Sequence, residues 1–294
     1  MAVKAGISSL IEQGQGYKNK WAENQKTARD EVSSFQADGI EMVTSDPEIY
    51  LNYLNAQAMN PHMSAGNIAA ALAQNKDVTM MATADKWQKL GRTPIDGTKE
   101  NVIKMLAQQK NNPKFYEVIE LYDISQTSGK EQPPNIVLKN GTPEMAKAIV
   151  TLSRFSPAEL KTCEMQGAIY DHNSKTILYS EEMTHSEAFN SLSTEIAFAK
   201  IHKAAGQDYD RETYTIDAQS VGYVLSKRFG VEANPPELSN VADIFKDLSA
   251  DGRRDVLNSI NNMSKEMGKT IEREINPPQK ANTRGTANRD NKPR

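Results

Sequence analysis

One cysteine, Cys163, and four histidines stand in a chain of 294 residues. A lone cysteine excludes an internal disulfide and any zinc site built on several thiolates, and it agrees with a reducing compartment. Its plainest reading is a small inert thiol. Aromatic residues make up only 6% of the chain, and no segment approaches the roughly 20 apolar residues needed to span a membrane. Nor do the first residues, Met1 to Gly6, open an apolar run of signal-peptide length. The expectation is a cytoplasmic protein without membrane partners. Charge of neither sign dominates: 35 Lys and Arg stand against 38 Asp and Glu, a net charge of -3. No global field draws this chain to nucleic acid, so any DNA contact has to come from a local patch.

What is present reads as globular, with 38% hydrophobic and 25% charged residues, and the length suits two modest domains plus tails. Residues 1–40 carry Ile7, Leu10, Ile11, Tyr17, Trp21, Ala28, Val32 and Phe35 at roughly helical spacing, which predicts a polar helical segment with a thin apolar stripe. Gly14-Gln15-Gly16 predicts a hinge within it; without a preceding strand or third glycine, a phosphate-cradling loop is not expected. From Ser45-Asp46-Pro47 onward a compact α+β module is expected. It should hold a helix carrying Ile49, Tyr50, Tyr53 and Leu54 inward, a helix capped by Ser64, and a strand at Val78 to Met81. A short helix at Asp85 to Leu90 and strands near 101–106 and 114–121 complete it. The turn-forming stretch about 128–142 marks the expected boundary.

Beyond it the spacing predicts a helix from Pro143 to Arg154, a hairpin of 168–170 with 176–179, and helices over 186–204, 214–229 and 241–269. The tail after Pro277-Pro278, with Lys280, Arg284, Arg289, Lys292 and Arg294, reads as disordered and weakly basic. The fold class is therefore α+β. A small α/β module (41–135) precedes a mostly helical domain with a short hairpin (142–275), flanked by a polar helical N-terminus (1–40) and a disordered C-terminal tail (276–294).

Three blocks in the first half carry a resemblance. Thr83-Ala84-Asp85-Lys86-Trp87-Gln88-Lys89-Leu90-Gly91-Arg92, then Gly97-Thr98-Lys99, then Tyr122-Asp123-Ile124-Ser125-Gln126-Thr127 are similar to the N-terminal domain of ArdC-type antirestriction proteins of conjugative mobile elements. That family pairs a Trp-containing helix and a Gly-Lys turn with a strand ending in this Asp-Ile-Ser-Gln-Thr order. Ser64-Ala65-Gly66-Asn67 resembles the family's Tyr-Ser-x-x-Asn segment, with Met63 where tyrosine is usual. Further on, Gly167 to Tyr170, Leu192 to Phe198 and Ala218 to Val224 are similar to the family's zincin-like metallopeptidase domain. The resemblance spans about residues 41 to 272, and it implies an ssDNA-binding module followed by a peptidase-like one.

The peptidase chemistry is what departs. A zincin needs His-Glu-x-x-His on one helix, because residues four apart share a face and bring both imidazoles to one metal while the glutamate activates its water. Thr194 and Phe198 occupy the histidine positions here; Glu195 alone survives, at the general-base position. Thr215 holds the best match to the third ligand, with Asp217 nearby; His172, His185 and His202 are scattered. No serine or cysteine nucleophile motif is present. The expectation is a protein with no catalytic residues, no metal and no cofactor.

Sequence-tolerant binding of single strands needs cations along a groove and an aromatic face on which bases stack. Lys86, Trp87, Lys89, Arg92 and Lys99 supply those types, although a tryptophan beside Leu90 at helical spacing equally suits a core. Lys110, Lys114, Tyr116 and Tyr122 could extend the surface along a strand. The expected function is thus a non-catalytic ssDNA-binding accessory protein of a conjugative element, whose partners are single-stranded DNA and other conjugation or mobile-element proteins. The alternative is a protein-interaction scaffold built from decayed domains; a metallopeptidase with altered ligands is a third reading.

Overall fold

The computed structural model describes residues 6–109, 111–112, 114–131 and 136–277; Lys110 and the expected tail from Pro278 lie outside them. The chain is α+β. Helix α1 (Ile7–Val43) is followed by α2 (Pro47–Met59) and α3 (Ala65–Gln74). Their starts follow from the local sequence. Asp46 accepts from the N–H groups of Glu48 and Ile49 with Pro47 in the first turn, and Ser64 accepts from Asn67 N–H, each satisfying donors a helix start leaves orphaned. The hinge expected at Gly14 to Gly16 is absent: α1 runs straight through, and neither glycine has a positive φ. Glycine weakens a helix without forcing a break, and no neighbouring element of the chain imposes one there.

Strands β1 (Met81–Ala82), β3 (Ile103–Gln108) and β4 (Tyr116–Asp123) form an antiparallel sheet in the order β1-β4-β3, with Ile103 opposite Leu121 and Gln108 opposite Tyr116. The strand expected at 78–81 is thus shorter and later. Helix α4 (Ala84–Lys89) precedes β2 (Arg92–Pro94), which pairs only with β5 (Thr127–Gly129).

Helix α5 (Pro143–Ser153) starts at the predicted place, capped by Thr142. The second sheet contains β6 (Glu159–Thr162), β7 (Ala168–Asp171) and β8 (Thr176–Tyr179) in the order β6-β8-β7; β7 and β8 are the expected hairpin, and β6, which the sequence pattern did not mark, runs parallel to β8. Next come α6 (His185–Ala205), entered through a capping box of Thr184 and Glu187, and α7 (Thr215–Arg228). The single helix expected over 241–269 is two: α8 (Val241–Phe245) and α9 (Ala250–Ile275), separated where Ser249 caps the second. A serine that accepts from the N–H three residues on competes with continuing the helix.

One apolar core joins Ile40, Tyr50, Tyr53, Leu54, Ile68, Met105 and Leu121 to Tyr223, Val224, Phe245 and Leu257 from the other side of the 128–142 stretch. A second core lies around Leu152, Phe189, Ile196, Leu225, Phe229 and Met267. Buried hydrogen bonds stitch the first: Tyr50 Oη to Ser220 Oγ at 3.0 Å and Gln57 Nε2 to Ser264 Oγ at 3.1 Å.

Candidate functional site

Several of the residues that carry the family-like blocks are, in the structure, joints of the fold. Asp123 Oδ2 accepts from Thr79 N at 2.7 Å and Thr79 Oγ1 at 3.1 Å, while its other oxygen accepts from Ser125 N at 2.9 Å. Gln126 closes a capping box by accepting from Asp123 N and donates to Asn101 O at 2.7 Å. Thr127 Oγ1 donates to Ile124 O and accepts from Arg92 Nε, each at 2.8 Å. Asn67, held at the start of α3, donates to Leu106 O at 2.9 Å and accepts from Gln36 Nε2 at 3.1 Å, tying α3 to β3 and α1. A carboxylate or amide that meets several backbone groups at once is worth keeping for folding alone.

Two expected DNA contacts are therefore corrected. Trp87 is fully buried and its Nε1 donates to Tyr122 O at 2.8 Å, so its faces belong to a small core with Ala82 and Tyr122 and offer no stacking platform. Arg92 spends its guanidinium on Ile124 O, Thr127 O, Gly129 O and Lys130 O. Lys89 and Lys99 are exposed. Tyr122 is buried as well.

Lys86 is placed differently: it lies on the wall of a groove of about 680 Å³ between α1, the α2–α3 turn and the β3–β4 strands. The floor is apolar, formed by Met63, Met81, Met105 and Leu121, and the rim is polar, with Gln36, Ser64, Asn67 and Gln108. Tyr116, 46% exposed, stands at one side. Lys265 of α9 and His62 line the same groove, and the His62 backbone carbonyl accepts from Lys265 Nζ at 3.3 Å. Burial, followed by the positive charges of Arg228, Lys86 and Lys265, holds the His62 imidazole below its ordinary pKa; Glu272 opposes them. A second cavity, of about 260 Å³, opens beside it through His62, Met63 and Lys86, with Met59 and Met80 on its wall. Sequence reasoning named Lys86 and Tyr116 but missed His62 and Lys265, because nothing in the local pattern of α9 marks a residue that the tertiary fold brings to a distant turn.

The positions that resemble a peptidase motif are also structural. Glu195 is buried, and its carboxylate is held by Arg211 through Nη2 at 2.9 Å and Nη1 at 3.1 Å, and by Tyr170 N–H at 2.7 Å. Tyr170 sits on β7, the edge of its sheet, and Arg211 also donates to Tyr170 O at 3.3 Å. The ion pair thus occupies the N–H and C=O that an edge strand would otherwise present to an added strand. Phe198 is buried with the Arg211 guanidinium 3.8 Å from its ring centre. Thr194 lies against α7 so closely that a Cβ on Gly222 would come within 2.0 Å of its Oγ1. His202 receives or gives a hydrogen bond to Tyr170 Oη at 2.8 Å and stacks on Tyr209 at 4.4 Å; burial, then Lys175 and His172, lower its pKa. His185 is exposed at the start of α6. Asp217 lies where its charge is felt by the buried Tyr50 phenol. Among the described residues no three His, Cys, Asp or Glu side chains are grouped as metal ligands.

The fold so defined is an α+β protein in which helices pack on two small three-stranded sheets, and no helix among the described residues is long and apolar enough to cross a membrane. Solved structures similar to it include the antirestriction protein ArdC of the R388 plasmid. The metal-free form aligns with a TM-score of 0.42 at 12% identity, and the Mn(II)-bound form with 0.44 at 13%; each alignment covers 74% of this chain and 85% of that one. No family model matches the chain, and no curated protein does.

Proposed function

We propose that this chain is a non-catalytic accessory protein that binds single-stranded DNA in the groove beneath Lys86, in the manner of an antirestriction-like protein of a mobile element. The observation that carries the reading is the groove itself: ammonium groups of Lys86 and Lys265 on its rim, the ring of Tyr116 beside it, and an apolar floor. Those are the parts that sequence-tolerant binding of a single strand requires. The mobile-element setting rests on the resemblance of the first-half blocks to the ArdC-type family. Absence of catalysis is supported by Glu195, whose carboxylate is engaged by the Arg211 guanidinium and the Tyr170 N–H, an arrangement that favours its ionised, structural form over proton transfer.

The test is titration of a labelled single-stranded oligonucleotide at low and moderate salt, with duplex as control. Changing Lys86 and Lys265 to alanine should weaken binding and lower the salt slope by about 1.4 if each neutralises one phosphate. Tyr116→Ala should cost about 1–3 kcal/mol. Changing Lys89 and Lys99 to alanine should alter affinity far less. Absence of single-strand binding even at low salt sinks the proposal.

A methionine floor favours a second reading, a scaffold that receives an apolar partner segment, since flexible thioethers adapt to varied side chains. Under that reading the groove variants leave oligonucleotide binding unchanged because there is none.

A further inference from the structure

From Ile7 to Asn24 every residue of α1 is exposed, so about 27 Å of helix stands clear of the body. Five large apolar residues lie on this stretch, Ile7, Leu10, Ile11, Tyr17 and Trp21, each between 55% and 79% exposed. Their spacings of three, four and seven place them along one side of the helix. Helices of this length are marginal in water without packing, and Gly14 and Gly16 each cost roughly 1 kcal/mol relative to alanine in such a place.

Those two glycines are the informative detail. Three helical glycines mark a close approach within the chain: an added Cβ at Gly39 would come 2.0 Å from Ala69 O, at Gly222 2.0 Å from Thr194 Oγ1, and at Gly268 2.4 Å from Arg228 Nη1, while at Gly66 and Gly252 it would make ordinary contacts at 3.5 Å. At Gly14 and Gly16 an added Cβ meets nothing within 4 Å. Nothing in the described chain uses the gap they leave.

We infer that α1 pairs with α1 of a second copy of this chain, antiparallel, about a two-fold axis at Tyr17 and Lys18. Gly14 and Trp21 are seven residues apart and so share a face. The two-fold sets Trp21 of each copy into the gap at Gly14 of the other and brings the two Tyr17 rings together. It also places Ile7 beside Ala28, where the partner's helix meets its own body. The stripe is self-complementary, holding a large residue and the space for it one heptad apart, which is what an isologous interface requires. The five apolar side chains bury on the order of 1,000–1,200 Å² over both copies, at the lower edge of specific interfaces.

Sedimentation of the full chain over a wide concentration range should show a reversible monomer–dimer equilibrium. Trp21→Glu, which lies outside both cores, should shift it at least tenfold toward monomer without changing the melting of the body. Gly14→Leu separates this arrangement from general stickiness: it makes the helix more apolar and more helix-prone, yet it fills the gap and should also weaken the dimer. In a Cys163→Ser background, Lys18→Cys should oxidise to a cross-linked dimer and Ile11→Cys, on the same stripe but far from the two-fold, should not. A chain that stays monomeric at high concentration overturns the pairing, and equal cross-linking at both positions overturns its direction.

Discussion

Asp217 is a carboxylate whose environment changes its chemistry. Seated in the first turn of α7, it is pushed by burial from 3.8 to about 7. Its folded pKa therefore lies above its unfolded one, so between these values the native state holds a proton that the unfolded state has released. Stability contributed by this group is present below the unfolded pKa and is lost as pH rises through about 7, by a few kcal/mol in total. Asp217→Asn should melt close to the native chain at about pH 4 and increasingly above it toward about pH 8. A melting difference that is flat across this range would mean that the carboxylate is ionised in the fold. Tyr50, its neighbour, is raised in the same direction, by burial first.

At the scale of elements, the clearest device is the joint between α6 and the edge strand β7. Glu195 of α6 accepts from the Tyr170 N–H while Arg211 closes over both. Removing the cation leaves a carboxylate in a site only 8% exposed. Arg211→Ala should therefore destabilise the fold by about 3 kcal/mol, whereas Glu195→Gln, which keeps an acceptor for Tyr170, should cost less. Urea unfolding of both variants checks this; a larger loss for Glu195→Gln would reverse the assignment. The sequence placed Glu195 on the right helix but could not supply its partner, because Arg211 lies in the segment between α6 and α7 and carries no periodic signal.

Across the whole molecule, the two expected halves share buried contacts. Tyr50 and Gln57 of α2 reach Ser220 of α7 and Ser264 of α9, and Leu257 completes the core that Tyr53 and Leu54 begin. Buried polar groups paired across a seam make its opening costly on both sides. With Trp21 changed to phenylalanine, Trp87 is the only tryptophan, and its fluorescence should follow the same denaturant midpoint as far-ultraviolet dichroism. A separate, earlier fluorescence transition would show the first module unfolding by itself. The groove is a product of the same assembly, for Lys265 joins Lys86 in its lining because α9 packs on α3.

By itself the sequence determined the helix starts, since capping by Asp46, Ser64, Thr142 and Thr184 is a contact among residues three or fewer apart. It also determined the inward faces of α2 and the β7–β8 hairpin, where period and turn chemistry are local. Only the tertiary structure decided which family-like residues are joints and which are surface. Trp87 and Arg92 read as ligand-binding types, yet their partners, Tyr122 O and the carbonyls around Thr127, lie more than thirty residues away. Periodicity reports what a residue's neighbours along one element share; it carries no record of which distant backbone group a side chain will meet when the elements pack.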